Sequence, residues 1–259
     1  MEKHWRGGHL PVKFRADRLN LPRHRKASAW AVWADLFHEV VTDDEISRTM
    51  HIADLHPRER FLVLTKRAER IAKWSVWFGD WPRNVWAGVT VCNQAEADAK
   101  IPLLLRVPAA VRFLSIEPML GPVDLSPWLG ARPGCEGAPA NLGCDVCREA
   151  LGLSWVIVGG ESGPGARPMH PDWVRSIRDQ CVAAGVPFFF KNHGDAIWRL
   201  TRECRAAGAY GEDCYLCDYR RVLGLPETTC PADLARANRK HAGRLLSARA
   251  WSQMPGGGE

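Results

Sequence analysis

No apolar run in this sequence reaches the roughly 18 residues that a bilayer-crossing helix needs, so no membrane span is expected. The first 26 residues are basic but hold no apolar core segment, which excludes a secretory signal and makes the cytoplasm the default location. No G-x-G-x-x-G dinucleotide fingerprint occurs, and no Gly-Lys-Ser/Thr follows a glycine-rich loop. Wholesale disorder is excluded as well, because the 259 residues are 46% hydrophobic and only 25% charged. The nine cysteines are an odd number and none precedes Cys92. A reducing compartment argues against a disulfide framework, so metal ligation is the chemistry left to test for the Cys-x-x-Cys pairs.

The net charge of +6 is uneven. Residues 1–30 carry eight Lys/Arg against two acids, residues 31–198 carry 17 against 20, and residues 199–259 carry 10 against seven. Basic ends suit either plain solvation or a phosphate-rich partner such as a nucleic acid. The chain divides accordingly into a basic segment (1–27), a core (28–195) with a Cys/Gly/Pro-rich insertion (126–153), and a C-terminal extension of helix and loop (196–259).

The core repeats one pattern: a short apolar run closes on polar residues, and a helix-like segment follows. The runs begin at Ser28, Phe61, Val85, Val111, Trp155 and Val186. Continuous rather than alternating apolar residues suit strands buried on both faces. Asp43-Asp-Glu-Ile opens one helix with acids in its first turn, where the helix dipole favours them. Pro171 opens another, with an apolar stripe at Trp173, Val174, Ile177 and Cys181 and a stop at Gly185. Alternating strand and helix predict an α/β fold with a mostly parallel sheet, most simply an incomplete (β/α) barrel of about six strands. Spacing alone leaves an open doubly wound sheet as the alternative.

In either architecture ligands gather at the carboxyl ends of the strands. The residues expected there are Asp35, His38, Glu39, Thr65, Lys66, Arg67, Glu117, Glu161, Lys191 and His193. Asp35, Glu117 and Lys191 are the catalytic candidates, as groups able to move a proton or anchor a polar ligand. Lys191 ends a strongly apolar run, so desolvation or a carboxylate partner is expected for it. Thr65-Lys66-Arg67, with His38, Glu39 and His193, form the candidate substrate-binding set, two cations suiting a phosphate or carboxylate. The glycines of Val158-Gly-Gly-Glu-Ser-Gly-Pro-Gly165 let backbone approach a ligand closely and turn N–H groups towards anions. Gly159, Gly160, Glu161 and Ser162 are therefore the candidate cofactor-binding residues; a tight turn is the structural alternative. Cys204-x9-Cys214-x2-Cys217-x12-Cys230 offers four thiolates, enough for zinc or an iron–sulfur cluster. Cys135, Cys144 and Cys147 offer three.

Read together, Asp35-Leu-Phe-His-Glu, Leu64-Thr-Lys-Arg, Asn84-Val-Trp-Ala-Gly-Val-Thr-Val, Arg112-Phe-Leu-Ser-Ile-Glu-Pro, the Gly159–Gly165 loop, Phe188-Phe-Phe-Lys-Asn-His-Gly and the closing Gly243-Arg-Leu-Leu-x-x-Arg-x-Trp251 resemble the phage gene-product thirty-seven/sixty-eight family. The resemblance runs from about residue 10 to residue 254. That family is similar in turn to radical S-adenosylmethionine barrels. The resemblance implies a partial barrel, S-adenosylmethionine and a [4Fe–4S] cluster as cofactors, and a small-molecule or nucleic-acid substrate. The family's cluster motif is N-terminal, and with no cysteine before Cys92 it cannot be carried over to any residue here, as in a truncated or late-started member. The leading expectation is thus a radical-type enzyme domain without its own cluster ligands. A nucleic-acid-binding accessory protein and a zinc-stabilised structural module are the alternatives.

Overall fold

The computed structural model describes residues 29–31, 35–79, 81–130, 152–196, 245–246 and 249–255. Six strands form one sheet: β1 (Ala29–Ala31), β2 (Arg60–Thr65), β3 (Val85–Val91), β4 (Arg112–Ile116), β5 (Trp155–Gly159) and β6 (Phe188–Asn192). Each falls on one of the six apolar runs. Between them lie α1 (Asp43–Asp54), α2 (Ala68–Phe78), α3 (Gln94–Leu105) and, before β6, α4 (Pro171–Ala183). All five pairings are parallel, and the strand order in space is the order in sequence, β1 to β6.

That unbroken order decides between the two architectures left open by spacing. A doubly wound sheet reverses its strand order at a switch point. Here no reversal occurs, and right-handed crossovers taken always in one direction deliver every helix to the same face. The packing agrees. One core joins Ile46 and Met50 of α1, Ile71 and Trp74 of α2, Ile101 and Leu104 of α3, and Val174, Ile177 and Cys181 of α4 to Phe61, Val63, Val89, Leu114, Val156, Phe188 and Phe190 of the strands. The opposite, inner face carries a second cluster of Trp86, Phe113 and Trp155, with Leu62, Leu64, Ile157 and Phe189 half-buried around it. The fold is therefore an open, incomplete (β/α) barrel.

Gly88 on β3 lies beside Phe113 on β4 in the sheet register. A Cβ built there would stand 2.3 Å from the Phe113 ring, so the glycine makes the space that the inner aromatic fills.

Helix ends follow the sequence signals. Thr42 accepts a hydrogen bond from the Glu45 N–H while the Glu45 carboxylate accepts one from the Thr42 N–H, a reciprocal capping box before α1. Asn93 caps α3 through the Glu96 N–H. After α4 the chain turns at Gly185 with φ +67°, a conformation that favours glycine.

The C-terminal extension, expected as helix and loop, also contributes extended chain. β7 (Leu245–Leu246) and β8 (Arg249–Ala250) pair antiparallel, and the following residues run antiparallel beside β6. Phe190 N–H donates to the Trp251 carbonyl at 2.9 Å, and Trp155 Nε1 donates to the Gln253 carbonyl at 2.8 Å. Short two-residue strands leave too little periodicity for sequence to reveal them. Residues 1–28, most of the insertion (131–151) and 197–244 lie outside the described residues. The neck of that insertion is described: Leu153 N–H donates to the Trp128 carbonyl at 2.8 Å. Among the described residues no helix is long and apolar enough to cross a membrane.

Candidate active site at the strand ends

Parallel strands bring their carboxyl ends to one side of the sheet, and the residues that follow them form a polar mouth. On its β4–β6 side stands an ion pair. Lys191 Nζ lies 2.7 Å from Glu117 Oε1 and donates to Oε2 at 3.0 Å. Glu117 follows β4 and Lys191 lies on β6, with β5 between them. The residue of β5 beneath this bridge is Gly159, where a Cβ would meet the Glu117 carboxyl at 3.3 Å. Glycine thus gives the Glu117 carboxylate room to lie over β5 towards the lysine. The carboxylate partner expected for Lys191 is present, and it is another of the catalytic candidates. Glu117 is a quarter exposed and Lys191 about half, so a ligand arriving from solvent can reach both.

Beneath Glu117 on the inner face lie Ser115 and its register partner Thr90, 2% and 5% exposed. Neither hydroxyl is engaged by a side-chain hydrogen bond among the described residues. The half-buried Leu64, Ile157 and Phe189 share this face.

On the β1–β2 side the charges neutralise one another. Arg67 donates to Asp35 Oδ2 at 2.6 Å and, through Nε and a terminal nitrogen, to both oxygens of Glu39 at 2.6 and 2.9 Å. Those bonds hold the Glu39 carboxyl down to about 2 and raise the Arg67 guanidinium above its ordinary value. Asp35 also accepts from Thr65 Oγ1 at 2.6 Å and from the Phe37 N–H at 3.0 Å. His38 Nδ1 accepts from the Val40 N–H at 3.3 Å and lies 3.6 Å from Glu39. Arg70 donates to the carbonyls of Phe37, His38 and Val41 and fastens the same loop from α2. The sequence reading missed this arginine, because a cation one turn into a helix looks like any solvated residue. Asp35, His38, Glu39, Thr65 and Arg67 therefore come together, as a braced corner whose arginine is already occupied. The exposed Lys66 ammonium has no ion-pair partner among the described residues. Burial raises the pKa of the Cys92 thiol at the end of β3 and Glu96 adds to the rise, against smaller opposing effects of Lys100, Lys66 and Arg167.

The glycine-rich loop after β5 is laced to the chain after β6. Gly160 N–H donates to the Asn192 carbonyl at 3.0 Å, Asp195 N–H to the Glu161 carbonyl at 2.8 Å, and Gly163 N–H to Asp195 Oδ2 at 2.8 Å. A Cβ at Gly160 would stand 2.3 Å from the His193 carbonyl oxygen, so the space that this glycine leaves is taken by backbone. His193 itself is buried, its ring edge-on to Phe190 at 4.6 Å. Ser162 is exposed beside Glu161. Glu161 accepts three hydrogen bonds of 2.8 Å from Arg167, one from its N–H and two from its guanidinium. These hold the Glu161 carboxyl down to about 2. Arg167 was not foreseen either; its bidentate geometry depends on how the loop doubles back at Gly163 and Gly165, both at positive φ.

Among the described residues no group of three or more His, Cys, Asp or Glu side chains is placed to hold a metal ion. Cys204, Cys214, Cys217 and Cys230 lie outside the described residues, as do Cys135, Cys144 and Cys147.

Comparison with known proteins places the chain in a family. The model of the family described as "Protein of unknown function (DUF5131)" matches residues 3–255, so the chain belongs to that family. No curated protein and no solved structure matches it.

Proposed function

We propose that this member of the DUF5131 family is an enzyme domain that binds a small charged molecule at the carboxyl-end mouth of its partial barrel, and that it is of the radical S-adenosylmethionine type that the strand-end motifs resemble. The observation that carries the reading is the unbroken β1–β6 order with every described helix on one face. It leaves an inner face lined by Thr90, Ser115, Glu117 and Lys191 rather than by apolar residues alone. Hydroxyls and an ion pair on that face give a polar ligand groups to bind.

The two cofactors implied by the resemblance fare differently. For S-adenosylmethionine the donor set fits: the molecule carries an ammonium, a carboxylate and ribose hydroxyls, and the mouth offers the carboxylates of Glu117 and Glu161 and the ammonium of Lys191. Glu161 would receive an ammonium or a ribose hydroxyl in the place that Arg167 now fills, so binding there exchanges one donor for another. Gly159 keeps that side of the mouth low, and Glu117 and Lys191 would face the substrate. When bound, S-adenosylmethionine supplies a cleavable carbon–sulfur bond. The [4Fe–4S] cluster does not fit the described residues, which provide no seat for it.

Equilibrium dialysis of S-adenosylmethionine against the full chain tests the reading. Saturable binding is expected, weakened at least about tenfold by Glu161→Ala, the loss typical of one charge-assisted contact. Absence of saturable binding, or binding indifferent to Glu161→Ala, would overturn it.

A further inference from the structure

The Glu117–Lys191 pair has features that select a ligand. Both groups are reachable, and each satisfies the other at 2.7 to 3.0 Å. A simple anion binding to Lys191 would have to detach Glu117 and leave that carboxylate facing a largely buried surface without compensation. A simple cation binding to Glu117 would displace Lys191, whose half-exposed ammonium returns to water, so the loss falls mainly on the glutamate side. Leaving one member of such a pair without its partner costs most where water reaches it least, here at Glu117. A molecule that carries both charges on neighbouring atoms meets neither penalty. Its carboxylate replaces Glu117 beside the lysine and its ammonium replaces Lys191 beside the glutamate.

A second, independent observation lies directly below. Ser115 is two residues before Glu117 on the same strand, and Thr90 is its register partner on β3. Both are more than nine-tenths buried, on the inner face, and no side-chain hydrogen bond engages either hydroxyl among the described residues. Neither oxygen is among the buried side-chain atoms left without a partner, so both open onto accessible space beneath the ion pair, where a ligand's polar atoms can meet them. Leu64, Ile157 and Phe189 supply apolar contact at the same level.

We infer that this face is a receptor for an α-amino-acid head group, free or at the end of a larger molecule, with its ammonium at Glu117, its carboxylate at Lys191 and its remaining polar atoms over Thr90 and Ser115. The inference rests on the reading of the mouth as the binding site and names the chemistry of the substrate held there. Gly159 is part of the recognition, because a side chain at that position would crowd the Glu117 carboxylate.

Three probes that differ only in charge test it: L-leucine, its methyl ester, which is a cation, and N-acetyl-L-leucine, which is an anion. Ligand-observed NMR on the full chain measures their affinities. L-leucine is expected to bind saturably and at least about tenfold more tightly than either blocked form, since each blocked form forfeits one charge-assisted contact. Glu117→Gln and Lys191→Met are each expected to weaken L-leucine by a similar factor while the thermal midpoint and far-ultraviolet dichroism stay native. Ser115→Ala is expected to weaken it less. Equal binding of the three probes, no saturable binding of L-leucine, or indifference of well-folded Glu117→Gln and Lys191→Met would overturn the inference. The two proposals fail separately. If L-leucine binds and S-adenosylmethionine does not, the radical-type reading falls and the receptor stands. If S-adenosylmethionine binds, is weakened by Glu161→Ala and is indifferent to Glu117→Gln, and L-leucine does not bind, the reverse holds.

Discussion

Glu161 shows how far one side chain's chemistry can be read from its partner. Three hydrogen bonds from Arg167 hold its carboxyl at about 2, well below the ordinary carboxylate range. The folded value is depressed, so the contribution of this contact to stability is fully present above the unfolded value of about 4.3 and fades as pH falls towards 2. Carbon-detected NMR should therefore place the Glu161 midpoint near 2 in the native chain and return it to the usual carboxylate range in Arg167→Ala. A normal midpoint in the unaltered protein would mean that the clip does not form in solution. Gly88 makes a second residue-scale case. The Phe113 ring occupies the space beside it, 2.3 Å from where a Cβ would stand. Gly88→Ala should cost about 1–3 kcal/mol by overpacking, read from urea unfolding, and Phe113→Leu in the same chain should recover part of that loss. Cys181 is buried on α4 and its thiol is pushed up to about 12. It should resist alkylation at pH 8 in the native state and react once the chain is unfolded.

Among the elements, the helices announced themselves where their caps are local. Asp43–Glu45 follow Thr42 within four residues, so a capping box is legible in sequence. Thr42→Ala should destabilise the chain by about 1 kcal/mol, measured by the same denaturation. The strands were legible for a different reason: burial on both faces leaves uninterrupted apolar runs, and each of the six runs holds a strand. Pairings across long separations were not legible. Residues 251–254 close the free side of β6 and cover the inner aromatic cluster through Gln253 and Met254. Nothing local in those four residues signals that role. Removing residues 249–259 should bare the β6 edge, lower the thermal midpoint and promote association, which light scattering would detect. An unchanged midpoint and monodisperse scattering would show that the segment is dispensable.

For the whole molecule, topology is what sequence spacing left undecided, and the strand order supplies it. Sequence named the residues at the mouth because a parallel fold sends every strand end the same way. It could not say which of them neutralise each other. Arg67 looked like a free cation and is held by Asp35 and Glu39; Lys191 and Glu117, 74 residues apart, meet over Gly159. Thr90 and Ser115 read as ordinary strand residues until the register set them side by side on the inner face. The division of labour follows: a braced β1–β2 corner, a loop laced between β5 and β6, and a reachable ion pair between them above buried hydroxyls. The central claim is that this mouth, at the carboxyl ends of the strands, is where the protein binds its small molecule. Hydrogen–deuterium exchange of the full chain with and without saturating S-adenosylmethionine tests it most directly. Protection should be confined to residues 65–67, 90–93, 115–120, 159–167 and 190–195. Protection at the opposite ends of the strands, around residues 82–85 and 107–112, or none at the mouth, would contradict it.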